Sequence, residues 1–247
     1  MVSDVAIDHH FIPAENLKSQ QYLNNIHEWT QNKKMLLNKK KTQYMIFNFT
    51  RKFQFSTRLQ LENENIQFEK QAKLLGIIIN SDLKWSSNTS YLIKKAYARM
   101  EILRKLFPFC IPIEDLVIIY IIFIRSVLEN SSVVWHSSIT QEEITDIERI
   151  QKTALRIILK NNYENYQNAL IITKLDTLEQ RRENLCLDFA KTCTKSTTTS
   201  DMFPLNKQTN SILRHKEKYV VQHASKERLK NSAIPYMQRL LNKFANT

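Results

Sequence analysis

The chain has 247 residues, 43% hydrophobic and 24% charged, enough apolar sequence to bury one good core or two smaller ones and too much for a disordered tail. Its 36 Lys and Arg against 24 Asp and Glu leave a formal charge of +12 and a pI near 9.5. That balance implies an acidic partner, nucleic acid before a membrane surface, because no basic amphipathic helix stands out. One glycine in the whole chain excludes P-loop and Rossmann phosphate cradles, and Cys110, Cys186 and Cys193, at no ligand spacing, give no zinc knuckle.

Pro13-Ala14-Glu15 reads as a helix start, and Leu17, Tyr22, Leu23, Ile26 and Trp29 recur at helical spacing to about Asn32. Gln43 to Phe49, rich in aromatic and β-branched residues, predicts a strand. Leu59 to Leu61 and Ile66 to Phe68 flank Glu62-Asn63-Glu64-Asn65, a hairpin signal without glycine. Lys73 to Asn80 carries the lone Gly76, which marks a bulge, a kink or a close backbone approach.

After Trp85 the pattern turns helical: about Asn88 to Leu106, Ile113 to Asn130, Gln141 to Leu159, Tyr163 to Ile172 and Leu178 to Cys193. Thr140 with Glu143 predicts a capping box, and Ile144, Ile147, Ile150, Ala154, Ile157 and Ile158 form the core stripe of the helix that follows. Glu142, Glu143, Asp146 and Glu148 read as its wet face. The apolar run Val117 to Ile124 is far below the roughly 20 residues needed to span a bilayer and reads as a buried core helix. Ser196 to Ser200 is a low-complexity linker, and a last helix runs from about Ile234 to Phe244.

The charge is uneven. Residues 1 to 80 hold 11 basic against 7 acidic side chains, residues 131 to 200 hold 9 against 9, and residues 201 to 247 hold 9 against 3. The basic surface is therefore expected at the two ends, around Lys33 to Lys52 and Arg214 to Lys243. The polar, acidic N-terminus carries no hydrophobic leader segment and the thiols read as reduced, so an intracellular setting, nuclear or cytoplasmic and not secreted, is expected. The six histidines are scattered with no partner at metal spacing, and none is assigned to a metal.

Several blocks, taken in order, resemble the C-terminal half of non-LTR (LINE-like, jockey-type) retrotransposon reverse transcriptases. They are Met1-Val2-Ser3-Asp4, Leu37-Asn38-Lys39-Lys40-Lys41-Thr42, Lys73-Leu74-Leu75-Gly76 with Asp82-Leu83-Lys84-Trp85, and the run Ser126 to Trp135 containing Leu128-Glu129. Further along come Glu148 to Arg156, Leu178-Glu179-Gln180-Arg181-Arg182, and Ser232 to Tyr236 with Leu240-Leu241-Asn242. The resemblance implies an α+β fold: a palm remnant with a primer-supporting hairpin over 1–86, a helical thumb-like bundle over 87–195, and a linker with a basic helical extension over 196–247.

In the family, carboxylates from two strands hold the Mg²⁺ ions of two-metal catalysis. Matching the aromatic-x-Asp-Asp loop puts Met1 at the aromatic, Ser3 at the first Asp and Asp4 at the second, a vestigial Mg²⁺ position. Lys41 falls at the lysine that protonates the departing pyrophosphate. The upstream strand with its aspartate is expected outside this sequence, so the chain is expected to be catalytically incomplete by itself and to need no cofactor. The expected partner is RNA, DNA or an RNA/DNA hybrid, with no membrane. It is held through Lys39, Lys40, Arg51, Lys52, Gly76, Lys216, Lys218, Lys226 and Lys230. Two other readings stay open: polymerase activity when the missing N-terminal polymerase segment is supplied, and a decayed element with no selected function.

Overall fold

The structure is a computed structural model that describes residues 15–49, 58–206 and 218–245. The fold is α+β and helix-dominated, with small two-stranded sheets between the first helix and the helices that follow. The chain divides into two units, one containing residues 1–74 and 79–83 and the other residues 75–78 and 84–247.

In the first unit, α1 (Glu15–Asn32) is followed by β1 (Gln43–Tyr44), β2 (Gln60–Leu61), β3 (Glu64–Asn65) and β4 (Gln67–Phe68). Helix α1 closes with Lys34 at φ 56°, where the amide of Met35 reaches back to the carbonyl of Thr30. The apolar spacing along α1 does not translate into a uniform buried stripe: Leu23 and Ile26 are half-buried, whereas Tyr22 and Trp29 are exposed.

Strand β2 pairs with β3 antiparallel, Gln60 opposite Asn65 and Leu61 opposite Glu64. The loop is the two residues Glu62 and Asn63, both at positive φ (49° and 65°), which matches the right-handed twist of the strands without needing glycine. Of the expected second arm, Ile66 to Phe68, Ile66 stays with this hairpin, its amide donating to the Leu59 carbonyl at 2.8 Å, and the next two residues leave it. Gln67–Phe68 instead pairs in parallel with Gln43–Tyr44, and the Tyr44 and Phe68 rings meet at 5.4 Å. The strand expected over Gln43 to Phe49 is only two residues long.

The hairpin of β5 (Gln71–Leu74) and β6 (Ile77–Asn80) straddles the division between the units. Its two-residue loop is Leu75 at φ 47° and Gly76 at φ 88°. Gly76 is thus a turn residue, not a bulge, and the positive φ is reason enough for glycine there.

The second unit is a helical bundle: α2 (Ser86–Leu106), α3 (Ile113–Ile119), a π-helical turn Tyr120–Arg125, α4 (Ser126–Glu129) and α5 (Ser132–Trp135) lead to α6 (Gln141–Leu159). Then come α7 (Tyr166–Thr173), α8 (Leu178–Lys195), α9 (Glu227–Lys230) and α10 (Ala233–Ala245). Leu92, Ala96, Met100 and Leu103 of α2 pack with Ile147, Ile150, Ala154, Leu155 and Ile158 of α6 and with Tyr120, Ile124 and Leu128 between them. Losing any one of these large side chains to Ala would cost about 2–5 kcal/mol. A smaller core joins Cys186, Leu187, Ala190 and Cys193 of α8 to Phe203 and to Met237, Leu240 and Leu241 of α10.

The capping box of α6 is present: the Glu143 amide donates to Thr140 Oγ1 at 3.2 Å, and the Thr140 amide donates to Glu143 Oε2 at 2.7 Å. The helix expected as one piece from Ile113 to Asn130 loosens into the π turn, where Ser126 Oγ donates to the Ile122 carbonyl and Arg99 donates to the Phe123 carbonyl at 2.7 Å. Among the described residues one helical stretch, Ile113–Ser138, is long and apolar enough to cross a membrane by length and composition alone. Its backbone leaves helical geometry at Asn130 (ψ 117°) and Ser131 (φ 50°), and Tyr120, Ile124 and Trp135 are fully buried in the core.

Ser196 to Ser200 is tied down: the amides of Thr199 and Ser200 donate to the Ser196 carbonyl, and Thr199 Oγ1 donates to the Cys193 carbonyl at 3.0 Å. Phe203 just beyond it is buried.

Candidate nucleic-acid interface

The lysine triplet follows α1. The amides of Lys41 and Thr42 both donate to the Asn38 carbonyl at 2.9 Å, which turns the chain into β1 and leaves Lys40 and Lys41 exposed. Lys39 is different. Its ammonium lies 2.7 Å from Glu62 Oε2, in the β2–β3 turn, and 2.9 Å from Glu64 Oε1, the first residue of β3. Those hydrogen bonds hold the Lys39 pKa above its ordinary value, and the Lys39 hydrogen bond holds that of Glu62 below. Glu62 also meets His27 Nε2 at 3.1 Å. Lys39 is therefore committed to the hairpin, and Lys40 and Lys41 are the more exposed members of the triplet.

Gly76 lies against a protein group. A Cβ there would come 3.4 Å from Asn130 Nδ2, and the neighbouring Ile78 amide donates to the buried Asn88 Oδ1 at 3.1 Å. The exposed member of the turn is Leu75, 85% accessible.

Toward the C-terminus, Lys218 sits over the Tyr219 ring at 5.6 Å. Lys226 is exposed at the start of α9, and Lys230 pairs with Glu227 at 3.2 Å. Lys226 and Lys230 thus share one short helical segment. Asp4, Ser3, Arg51, Lys52 and Lys216 lie outside the described residues. Among the described residues no group of three or more His, Cys, Asp or Glu side chains could hold a metal ion.

A polar cluster in the second unit has no counterpart in the sequence reading. Glu129, little exposed, pairs at 3.1 Å with both Arg125 and Arg181. Glu148 turns inward from α6: it accepts from the Leu178 amide at 3.1 Å and the Glu179 amide at 3.3 Å, capping α8 from another helix, and from the Tyr166 hydroxyl. Burial and the Glu148 carboxylate push the Tyr166 pKa up, so its ring stays neutral. Gln151 accepts from Tyr120 at 2.6 Å and donates to Tyr166 at 3.0 Å and to the Asp176 carbonyl at 2.8 Å.

Glu143, besides its capping role, accepts from Thr89 Oγ1 at 2.8 Å and so joins α6 to α2. Glu143 and Glu148 are thus structural anchors, not part of a wet face.

Arg182 is wholly buried, with its guanidinium 5.8 Å from the Trp135 ring and its Nε on His136 Nδ1 at 3.3 Å. Burial, reinforced by the Arg182 charge, pushes the His136 pKa down to about 4, so the imidazole is neutral and can accept that bond. The His136 ring meets the edge of Tyr236 at 5.9 Å, and Trp135 Nε1 donates to the Asn130 carbonyl at 3.0 Å. Comparison with known protein families, curated proteins and solved structures finds no match for this chain.

Proposed function

We propose that the chain is the C-terminal part of a non-LTR retrotransposon reverse transcriptase, acting inside the cell by gripping an RNA/DNA template-primer through phosphates and shape, and catalytically incomplete without the rest of the enzyme. The observation that carries this reading is the convergence of the resembling blocks. Glu129 of the Leu128-Glu129 block meets Arg181 of the Leu178 to Arg182 block, and Trp135 of the first packs on Arg182 of the second. Glu148, from the third block, caps the helix that begins at Leu178, and Tyr236, from the last, meets His136 beside Trp135. Residues scattered over more than a hundred positions support one another as a packing framework, which is what a shared architecture requires. The charge of +12 supplies the affinity for a polyanion.

The test is titration of the purified chain with an RNA/DNA hybrid at several salt concentrations. Binding should be tolerant of sequence, with log K falling against log[salt] by about 0.9 for each neutralised duplex phosphate. Primer extension with Mg²⁺ or Mn²⁺ should be undetectable. Absence of hybrid binding at low salt, or template-dependent incorporation above a Ser3, Asp4 double-alanine control, would overturn the reading.

A further inference from the structure

Near the C-terminal end of α6, two cations stand on two tyrosine rings. Lys152 Nζ lies 5.0 Å from the centroid of Tyr166, and the Arg156 guanidinium lies 5.3 Å from that of Tyr163. The cations are four residues apart on one helix, and the rings three apart where the chain enters α7. Tyr166 is held by its hydroxyl contacts to Glu148 and Gln151, so the platform under Lys152 is fixed from the core side.

The nearby acids are engaged elsewhere. Asp146 pairs with Arg149 at 2.6 Å, Glu148 caps α8, and Glu164 accepts from Asn168 at 2.9 Å. Among the described residues no carboxylate comes within ion-pair distance of Lys152 or Arg156. Four residues of helix set the two attachment points about 6 Å apart along the axis, close to the axial rise of two nucleotide steps of about 3.4 Å each. Aromatic platforms that hold cations in place lower the entropy lost when those cations meet a partner, and the rings themselves suit a nucleic-acid surface.

We infer that Lys152 and Arg156, braced by Tyr166 and Tyr163, form a phosphate-contact site for nucleic acid on the α6–α7 face. This site lies within the stretch whose net charge is zero, where composition gives no hint of it. The inference rests on the hybrid-binding reading above and names where part of that grip occurs.

The experiment compares the full chain with its Lys152→Ala/Arg156→Ala double variant, whose fold is checked by circular dichroism and thermal midpoint. The double variant should bind a short RNA/DNA hybrid roughly tenfold more weakly, with a salt slope smaller by about two. In the unaltered chain, bound hybrid should protect Lys152, but not the exposed Lys191 of α8, from amine acylation. Hybrid binding with an unchanged slope in the double variant and no protection of Lys152 would overturn the site while leaving hybrid binding intact. An equal loss of binding to poly-glutamate would mark a generic anion surface and overturn it too. A chain that binds no hybrid at all would fail the broader reading first.

Discussion

Asn242, near the end of the last helix, pairs with both backbone groups of Tyr219: the Tyr219 amide donates to Asn242 Oδ1 at 2.8 Å, and Asn242 Nδ2 donates to the Tyr219 carbonyl at 2.9 Å. One turn earlier on α10, Gln238 accepts from the Gln222 amide at 2.8 Å and donates to the Met202 carbonyl at 2.8 Å. The two buried amides replace a missing strand partner for segments that the bridge of Leu205 and Tyr219 joins. Gln20 does the same for Gln60 in the first unit, at 2.7 and 2.9 Å. Asn242→Leu should therefore keep the apolar packing of α10 yet cost about 1–3 kcal/mol. Faster hydrogen exchange at the Tyr219 amide than in the unaltered chain would report the lost clamp, and unchanged exchange would refute it.

Glu148 caps α8 from α6, so Glu148→Ala leaves the Leu178 and Glu179 amides and the Tyr166 hydroxyl without their acceptor. A loss of about 1–3 kcal/mol is expected in denaturant unfolding. Glu142→Ala, on an exposed residue in the first turn of the same helix, should stay within about 0.5 kcal/mol of the unaltered chain.

His136 is neutral in the fold and ordinary when unfolded. Its folded pKa, about 4 against the usual 6.5, means that the unfolded chain binds the extra proton between those values. Stability from this group is complete above about pH 6.5 and falls as pH drops toward 4, by up to roughly 3 kcal/mol. The unaltered chain should lose more stability than His136→Asn between pH 7 and pH 4.5. Parallel losses would show that the burial of His136 beside Arg182 and Tyr236 carries no such penalty.

The β5–β6 turn places Leu75 and Gly76 both at positive φ. Gly76→Ala should cost about 1–2 kcal/mol through the left-handed backbone, and Leu75→Asn should stabilise by up to about 1 kcal/mol while removing an exposed apolar side chain. Thermal midpoints of the two variants moving in opposite directions would establish this, and movement in the same direction would contradict it.

Among the lysines, Lys39 is held by Glu62 and Glu64. Lys39→Ala should leave affinity for the RNA/DNA hybrid within about twofold, whereas replacing Lys40 and Lys41 together should lower the salt slope by about two if both contact phosphate. A larger effect from Lys39 alone would mean that its carboxylate partners release it on binding.

The helices of the second unit were legible because they write their own local signals: the α6 cap is the Thr140 and Glu143 pair, and its core face is the isoleucine spacing. Those features depend on residues within a few positions of one another, so the sequence by itself determined them, along with the α+β class and the basic character. What only the tertiary structure decided are pairings between distant segments. Lys39 is ion-paired because the β2–β3 hairpin sets Glu62 and Glu64 beside it. Glu148 points inward because the unfilled amides of α8 arrive thirty residues later, and the helix after Ile113 relaxes into a π turn around Tyr120, whose hydroxyl meets Gln151. Lys152 and Arg156 become a pair on rings only when Tyr163 and Tyr166 fold back beside α6. A buried or shared polar group takes whichever partner packing brings within reach, and that choice is made by three-dimensional proximity, which local spacing does not encode.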